Sequence, residues 1–181
     1  MVGAVHIFFS KIQDAGWRKM CDELPRSLNS LALDEGMKED IVEDVRKFLS
    51  NDVADLYQRR GIRHRRGYLL YGPPGTGKTS CCKMLATHFE LPIYIINLAT
   101  VDDLGLEELF RTLPAHPARS MVVLEDIDTA GINRHGHTAN KKDDAGRQNG
   151  ISLTTVLNII DGIGCRAKIQ YRIAQKSKGI K

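Results

Sequence analysis

The chain has 181 residues, 42% of them hydrophobic and 27% charged, with a net charge of +4. That is the length of one domain with enough apolar material for a core, and the composition is that of a soluble globular protein. No apolar run approaches the ~20 residues a membrane-spanning helix needs, and Val5-His6-Ile7-Phe8-Phe9 is too short for a signal-peptide core.

The charge is unevenly spread. Cys165 to Lys181 carries six basic residues and no acidic one; without it, residues 1–164 hold 20 basic against 22 acidic side chains, a net of −2. The body is near neutral and the basic balance comes from the tail. The four cysteines, Cys21, Cys81, Cys82 and Cys165, show no zinc-ligand spacing and read as reduced packing residues.

In chain order, the start reads as an exposed remnant, a strand or the tail of something longer, and residues 11–33 read as irregular, with Trp17 and several leucines for apolar contacts. A helix is predicted from Asp34-Glu35-Gly36 to about Ser50, with Met37, Ile41, Val45 and Phe48 at helical spacing and its acids early. A short second helix around 52–60 ends at Gly61. Arg59, Arg60, Arg63, Arg65 and Arg66 then form a basic cluster. It has no interleaved aromatic residues to stack bases, so it reads as a solvated face, a nucleotide-side contact or a subunit contact before a nucleic-acid site.

Gly67-Tyr68-Leu69-Leu70-Tyr71 reads as a buried strand and runs into Gly72-Pro73-Pro74-Gly75-Thr76-Gly77-Lys78-Thr79. This matches the phosphate-binding pattern G-x-x-x-x-G-K-[ST] at every fixed position, and Ser80 to Phe89 follows as a helix. The glycines let backbone N–H groups close on phosphate oxygens, and the helix start aims its positive dipole end at them. Lys78 supplies a point charge to the terminal phosphates. Thr79 offers a hydroxyl to magnesium, a cation that prefers oxygen.

Ile93 to Ile96 reads as a strand apolar on both faces, Asp102 to Leu113 as a helix with Leu106, Leu109, Phe110 and Leu113 inward, and Met121 to Leu124 as another buried strand. Alternating strands and helices imply a parallel α/β sheet, with ligands at the carboxyl ends of its strands. Glu125 and Asp126 stand at such an end, 47 and 48 residues after Lys78. There Glu125 can hold magnesium directly or through water, and Asp126 can orient or deprotonate an attacking water. Thr129 to Gly150 reads as a loop; its His135 and His137 lack a third ligand for a metal. Ser152 to Ile160 puts Leu153, Val156, Leu157 and Ile160 on one helical face, for the core or a subunit interface.

The run from Arg65 to Thr79, with Leu124-Glu125-Asp126-Ile127-Asp128, resembles the AAA ATPases of the mitochondrial inner-membrane chaperone type, fungal-like members in particular. That family moves the Rieske iron–sulfur protein across the membrane during complex III assembly. The resemblance covers about residues 24–164 and includes the Glu-Asp order where most AAA proteins have Asp-Glu. It implies a P-loop NTPase fold with a parallel sheet and flanking helices. It implies ATP and Mg2+ as ligands and, in intact relatives, assembly into a homo-oligomeric ring. Carried over by position, Gly72, Pro73, Pro74, Gly75, Thr76, Gly77, Lys78, Thr79 and Ser80 bind nucleotide, Thr79 and Glu125 hold the metal, and Asp126 is catalytic. Gly61 and Ile62 are implied near the adenine. Three segments follow: a family-specific N-terminal remnant over 1–33, a partial AAA domain over 34–164 and a divergent basic tail over 165–181.

The family begins with a transmembrane helix and a middle domain, and continues past Asp161-Gly162 into a sensor strand, arginine fingers, a fifth strand and a helical lid. The expectation is therefore a truncated chain lacking the fourth and fifth core strands and the lid. Lys168 to Ile173 alternates polar and apolar residues, which suits a half-exposed strand and not a central one. Two activities stay open: a protein-remodelling ATPase, or a nucleotide-binding remnant without turnover. Nucleic-acid binding ranks third.

Overall fold

The computed structural model describes residues 5–10, 16–23, 34–113, 119–128, 130, 132, 151–161 and 169–176. Six strands form one sheet: β1 (Val5–Ser10), β2 (Trp17–Glu23), β3 (Arg65–Tyr71), β4 (Ile93–Asn97), β5 (Arg119–Glu125) and β6 (Ile169–Lys176), in the order β2-β1-β4-β5-β6-β3. The β1–β2 pair is antiparallel and every other pair is parallel. Five α-helices are described: α1 (Glu35–Leu49), α2 (Asn51–Arg59), α3 (Lys78–His88), α4 (Asp103–Arg111) and α5 (Leu153–Asp161).

The continuous apolar runs of β4 and β5 are explained by burial on both faces. Ile93, Ile95, Met121 and Val123 join Val45 and Phe48 of α1 and Leu85 of α3 in one core. Tyr94, Ile96, Val122 and Leu124 join Leu106 and Leu109 of α4 and Val156 and Ile159 of α5 in the other. All four residues expected inward near α4, Leu106, Leu109, Phe110 and Leu113, are buried.

Helix α1 starts where expected: the Asp34 side chain accepts a hydrogen bond from Met37 N–H at 3.2 Å, satisfying one orphan donor of the first turn. Its buried stripe is Val42, Val45, Phe48 and Leu49, and Met37 lies outside it, 60% exposed. Asp44 ties the helix to the strand that carries the glycine loop: its carboxylate accepts from Arg66 and from the Tyr68 hydroxyl. Arg66 of the basic cluster is thereby used within the fold. Helix α5 is turned relative to expectation, with Thr155, Val156 and Ile159 buried and Leu157 and Ile160 exposed.

Two expectations need correction. Residues 17–23, read as irregular, form β2, and β1 pairs in parallel with β4, so this hairpin extends the main sheet. Its hold is specific: Phe8 stacks on Tyr94 with ring centroids 4.8 Å apart, Trp17 meets Tyr94 edge-on, and Trp17 Nε1 donates to Leu109 O at 3.2 Å. Trp-Arg-Lys-Met-Cys-Asp-Glu has no apolar alternation, which is why the strand was not legible.

The second correction is central. The fourth core strand, expected to be lacking, is replaced by β6, which stands between β3 and β5: it pairs with β3 from Arg65–Gln170 to Tyr71–Lys176 and with β5 from Arg119–Ile169 to Leu124–Ala174. The fourth strand is therefore supplied by the basic tail. Backbone N–H and C=O groups make the ladder whatever the side chains are, and a slot open on both sides satisfies both edges of the incoming strand. Pro114, Pro117, His135, His137, Cys165 and most of 129–150 lie outside the described residues.

Candidate functional site

The loop between β3 and α3 takes its shape from residues that tolerate positive φ. Gly75 has φ of 79° and Gly77 of 85°, the left-handed region closed to most side chains. Gly77 is also the N-cap of α3, and no side chain caps this helix; the first helical bond runs from Cys81 N–H to Gly77 O at 2.8 Å. The first turn, at the positive end of the helix dipole, suits an external anion. Thr76 Oγ1 donates to Pro73 O at 2.8 Å and closes the turn.

Lys78 folds back over the loop, and its Nζ donates to Gly72 O at 3.0 Å and Pro73 O at 2.8 Å. Thr79 Oγ1 donates to Glu125 Oε1 at 3.1 Å, across 46 residues of chain. Pro74, Gly75, Gly77, Lys78, Thr79, Ser80, Glu125 and Asp126 line one open cavity of about 370 Å³. The sheet brings these together because β3 and β5 run parallel and both end at this side. Gly72, Pro73 and Thr76 shape the loop behind that lining. Gly61 and Ile62 do not line it: they precede β3, at the opposite end from the loop, and Ile62 is 54% exposed.

Asp126 adopts φ of 57°, a left-handed conformation rare outside glycine but accessible to Asp, whose short polar side chain can hydrogen-bond locally. This turn directs the chain out of β5 just where the carboxylate enters the cavity. Asn97, at the end of β4, was missed by sequence reasoning. Its Oδ1 accepts from Ala99 N–H at 2.8 Å, which fixes the amide so that Nδ2 donates to Asp126 Oδ2 at 3.3 Å. The available signal was a lone amide ending an apolar strand beside the one that carries Glu125.

The Thr79 hydroxyl and the Glu125 carboxylate are an oxygen pair suited to a hard divalent cation that keeps waters and phosphate oxygens as its other ligands. Among the described residues no group of three or more His, Cys, Asp or Glu side chains is arranged to hold a metal unaided.

A glycine loop opening a helix, with carboxylates at the end of another parallel strand of the same sheet, defines a P-loop nucleotide-binding domain. The profile of the family described as ATPase family associated with various cellular activities (AAA) matches residues 68–167. The chain is 46% identical over 129 residues to the probable mitochondrial chaperone BCS1-B of Dictyostelium discoideum, covering 70% of this chain and 27% of that one. It is 40% identical over 140 residues to the mitochondrial chaperone BCS1 of Homo sapiens, covering 76% and 32%. It is 36% identical over 153 residues to the protein HYPER-SENSITIVITY-RELATED 4 of Arabidopsis thaliana, covering 81% and 26%. The chain belongs to the AAA family of ATPases and is of the BCS1 type. It spans less than a third of the length of these relatives.

Proposed function

We propose that this chain binds MgATP in the β3–α3 loop and hydrolyses it, and that turnover serves protein remodelling or translocation in a homo-oligomeric ring. The observation that carries the reading is the convergence of Lys78, Thr79, Glu125 and Asp126 on one cavity beneath an uncapped helix N-terminus. In this reading Gly72 to Ser80 hold the phosphates. Lys78 exchanges its two backbone acceptors for phosphate oxygens, and Thr79 and Glu125 hold Mg2+, which neutralises charge on the phosphates when bound. Asp126 orients the attacking water and accepts its proton while Asn97 holds the carboxylate in place. Residues 34–164 are the partial nucleotide-binding domain, 1–33 the remnant of a family-specific region and 165–181 a divergent basic tail. The names of the two chaperone relatives support a mitochondrial setting, and the family resemblance points to the inner membrane. Among the described residues no helix is long and apolar enough to cross a membrane.

Titration with a fluorescent ATP analogue and Mg2+ tests the reading. Wild type is expected to bind in the micromolar range and Lys78→Ala at least ~10-fold more weakly, since a charge-assisted bond contributes about 1.5–3 kcal/mol. Equal affinity of the two proteins sinks the site assignment. Binding by wild type with no release of phosphate would select the nucleotide-binding reading without turnover.

A further inference from the structure

The strand supplied by the basic tail ends beside the site. Two strands carry the groups that converge on the cavity: β3 leads into the glycine loop, and β5 ends in Glu125. They are not neighbours. β6 stands between them and runs parallel to both, so its carboxyl end is the middle one of three on the same side of the sheet. In an open parallel sheet that is the side where ligands bind.

The register decides which residues arrive there. Lys176, the last residue of β6, pairs with Tyr71, which directly precedes Gly72 of the loop. Neighbouring strands lie ~4.8 Å apart, so the main chain of Lys176 stands about one such spacing from the root of the loop. On the other side the last pair is Leu124 with Ala174. One step further along the ladder brings Gln175 level with Glu125, and a second brings Lys176 level with Asp126. Helix α3, whose first residues line the cavity, lies against β6.

The charge of the cavity is unbalanced. Among the described residues that line it, Lys78 is the one cation and Glu125 and Asp126 are two carboxylates. A terminal phosphate adds negative charge, and phosphoryl transfer spreads that charge over the equatorial oxygens. An acidic strand end at this place would repel such a ligand. β6 instead ends in a lysine, a compact cation with three donors on a flexible four-carbon stem.

We propose that the end of β6 completes the nucleotide site, with Lys176, placed between the glycine loop and the Glu125-Asp126 pair, as a second cation for the terminal phosphate of ATP. This rests on the proposed binding of ATP and gives a residue of the divergent tail a part in it. A cation at that place separates ATP from ADP, because ADP lacks the phosphate it serves. The same strand therefore closes the sheet and reads the ligand.

Titration of the full chain with fluorescent analogues of ATP and of ADP, each with Mg2+, tests this on wild type, Lys176→Ala, Lys176→Arg and Lys78→Ala. Lys176→Ala is expected to bind the ATP analogue at least ~10-fold more weakly and the ADP analogue within about twofold of wild type, since the charge-assisted bond is lost to the third phosphate alone. Lys176→Arg keeps the charge and is expected to hold ATP within about threefold of wild type. Urea midpoints check that the strand still forms. If Lys176→Ala lowers the midpoint, Lys176→Gln, which keeps a long polar side chain, takes its place with the same expectation. An ATP affinity equal to wild type overturns the proposal. So does an equal loss for ATP and ADP, which would leave Lys176 a part in closing the sheet and none in reading the third phosphate. Binding that Lys78→Ala weakens and Lys176→Ala leaves intact overturns only the role of Lys176. A wild type that binds neither nucleotide overturns the ATP reading and this proposal with it.

Discussion

At the scale of single residues, the site turns on how two acidic side chains are held. Glu125 is engaged by Thr79, while Asp126 is presented from a left-handed backbone and touched by the Asn97 amide. The amide that meets Asp126 at 3.3 Å is itself anchored by Ala99 N–H at 2.8 Å. Asn97 is thus a positioning residue. Asn97→Ala is expected to lower kcat about 10–150-fold, the equivalent of ~1.5–3 kcal/mol for one hydrogen bond to a charged group, with nucleotide affinity little changed. Phosphate-release kinetics alongside analogue titration measure the split. An affinity loss as large as the kcat loss would show that Asn97 shapes the pocket instead.

Among the elements, the α1–α2 pair and the start of β3 share a small aromatic core around His64. Its ring lies against Phe48 and edge-on to Tyr57, with rings 4.0 and 4.9 Å away. Burial lowers its pKa below the ordinary value; a backbone hydrogen bond at Phe48 opposes this and the Arg119 charge adds to it. The unfolded chain therefore binds this proton more readily than the folded one. Stability from neutral His64 is fully present above the unfolded value of about 6.5, declines as pH falls below it, and stops declining once the depressed native value is passed. Urea denaturation between pH 7.5 and 5 is expected to show this decline. His64→Phe, which keeps an aromatic ring in the slot, is expected to flatten that part of the profile. An unchanged slope would assign it to other groups. The same elements give the Arg66–Asp44–Tyr68 latch a structural role, joining helix α1 to the strand that leads into the loop.

For the whole molecule the decisive element is β6. Without it β3, which carries the glycine loop, would have no strand partner in the sheet, since β6 is its only neighbour among the described strands. Ile173 sits midway along, opposite Tyr68 on one side and Val123 on the other. Proline there removes a ladder hydrogen bond in a central strand, a position proline does not occupy in sheets. Ile173→Pro is expected to lower the urea midpoint or abolish the cooperative transition, and to weaken ATP-analogue binding with it. A variant as stable as wild type would mean that the sheet closes without this strand.

The eight residues from Gly72 to Thr79 and the Glu125-Asp126 pair were legible in the sequence because their chemistry is local. A loop of glycines followed by Lys and Thr, and a strand ending in acids, each specify one turn of backbone. The buried runs of β4 and β5 and the inward face of α4 were legible because burial imposes periodicity. Other features depended on neighbours distant in sequence. The β2 strand, the turned face of α5, the reach of Asn97 to Asp126 and the insertion of β6 between β3 and β5 were set by which backbone edges and apolar faces remained open once the rest had packed. Pairing of main-chain groups leaves almost no signature in side chains, so the order of the strands was decided by the tertiary structure alone.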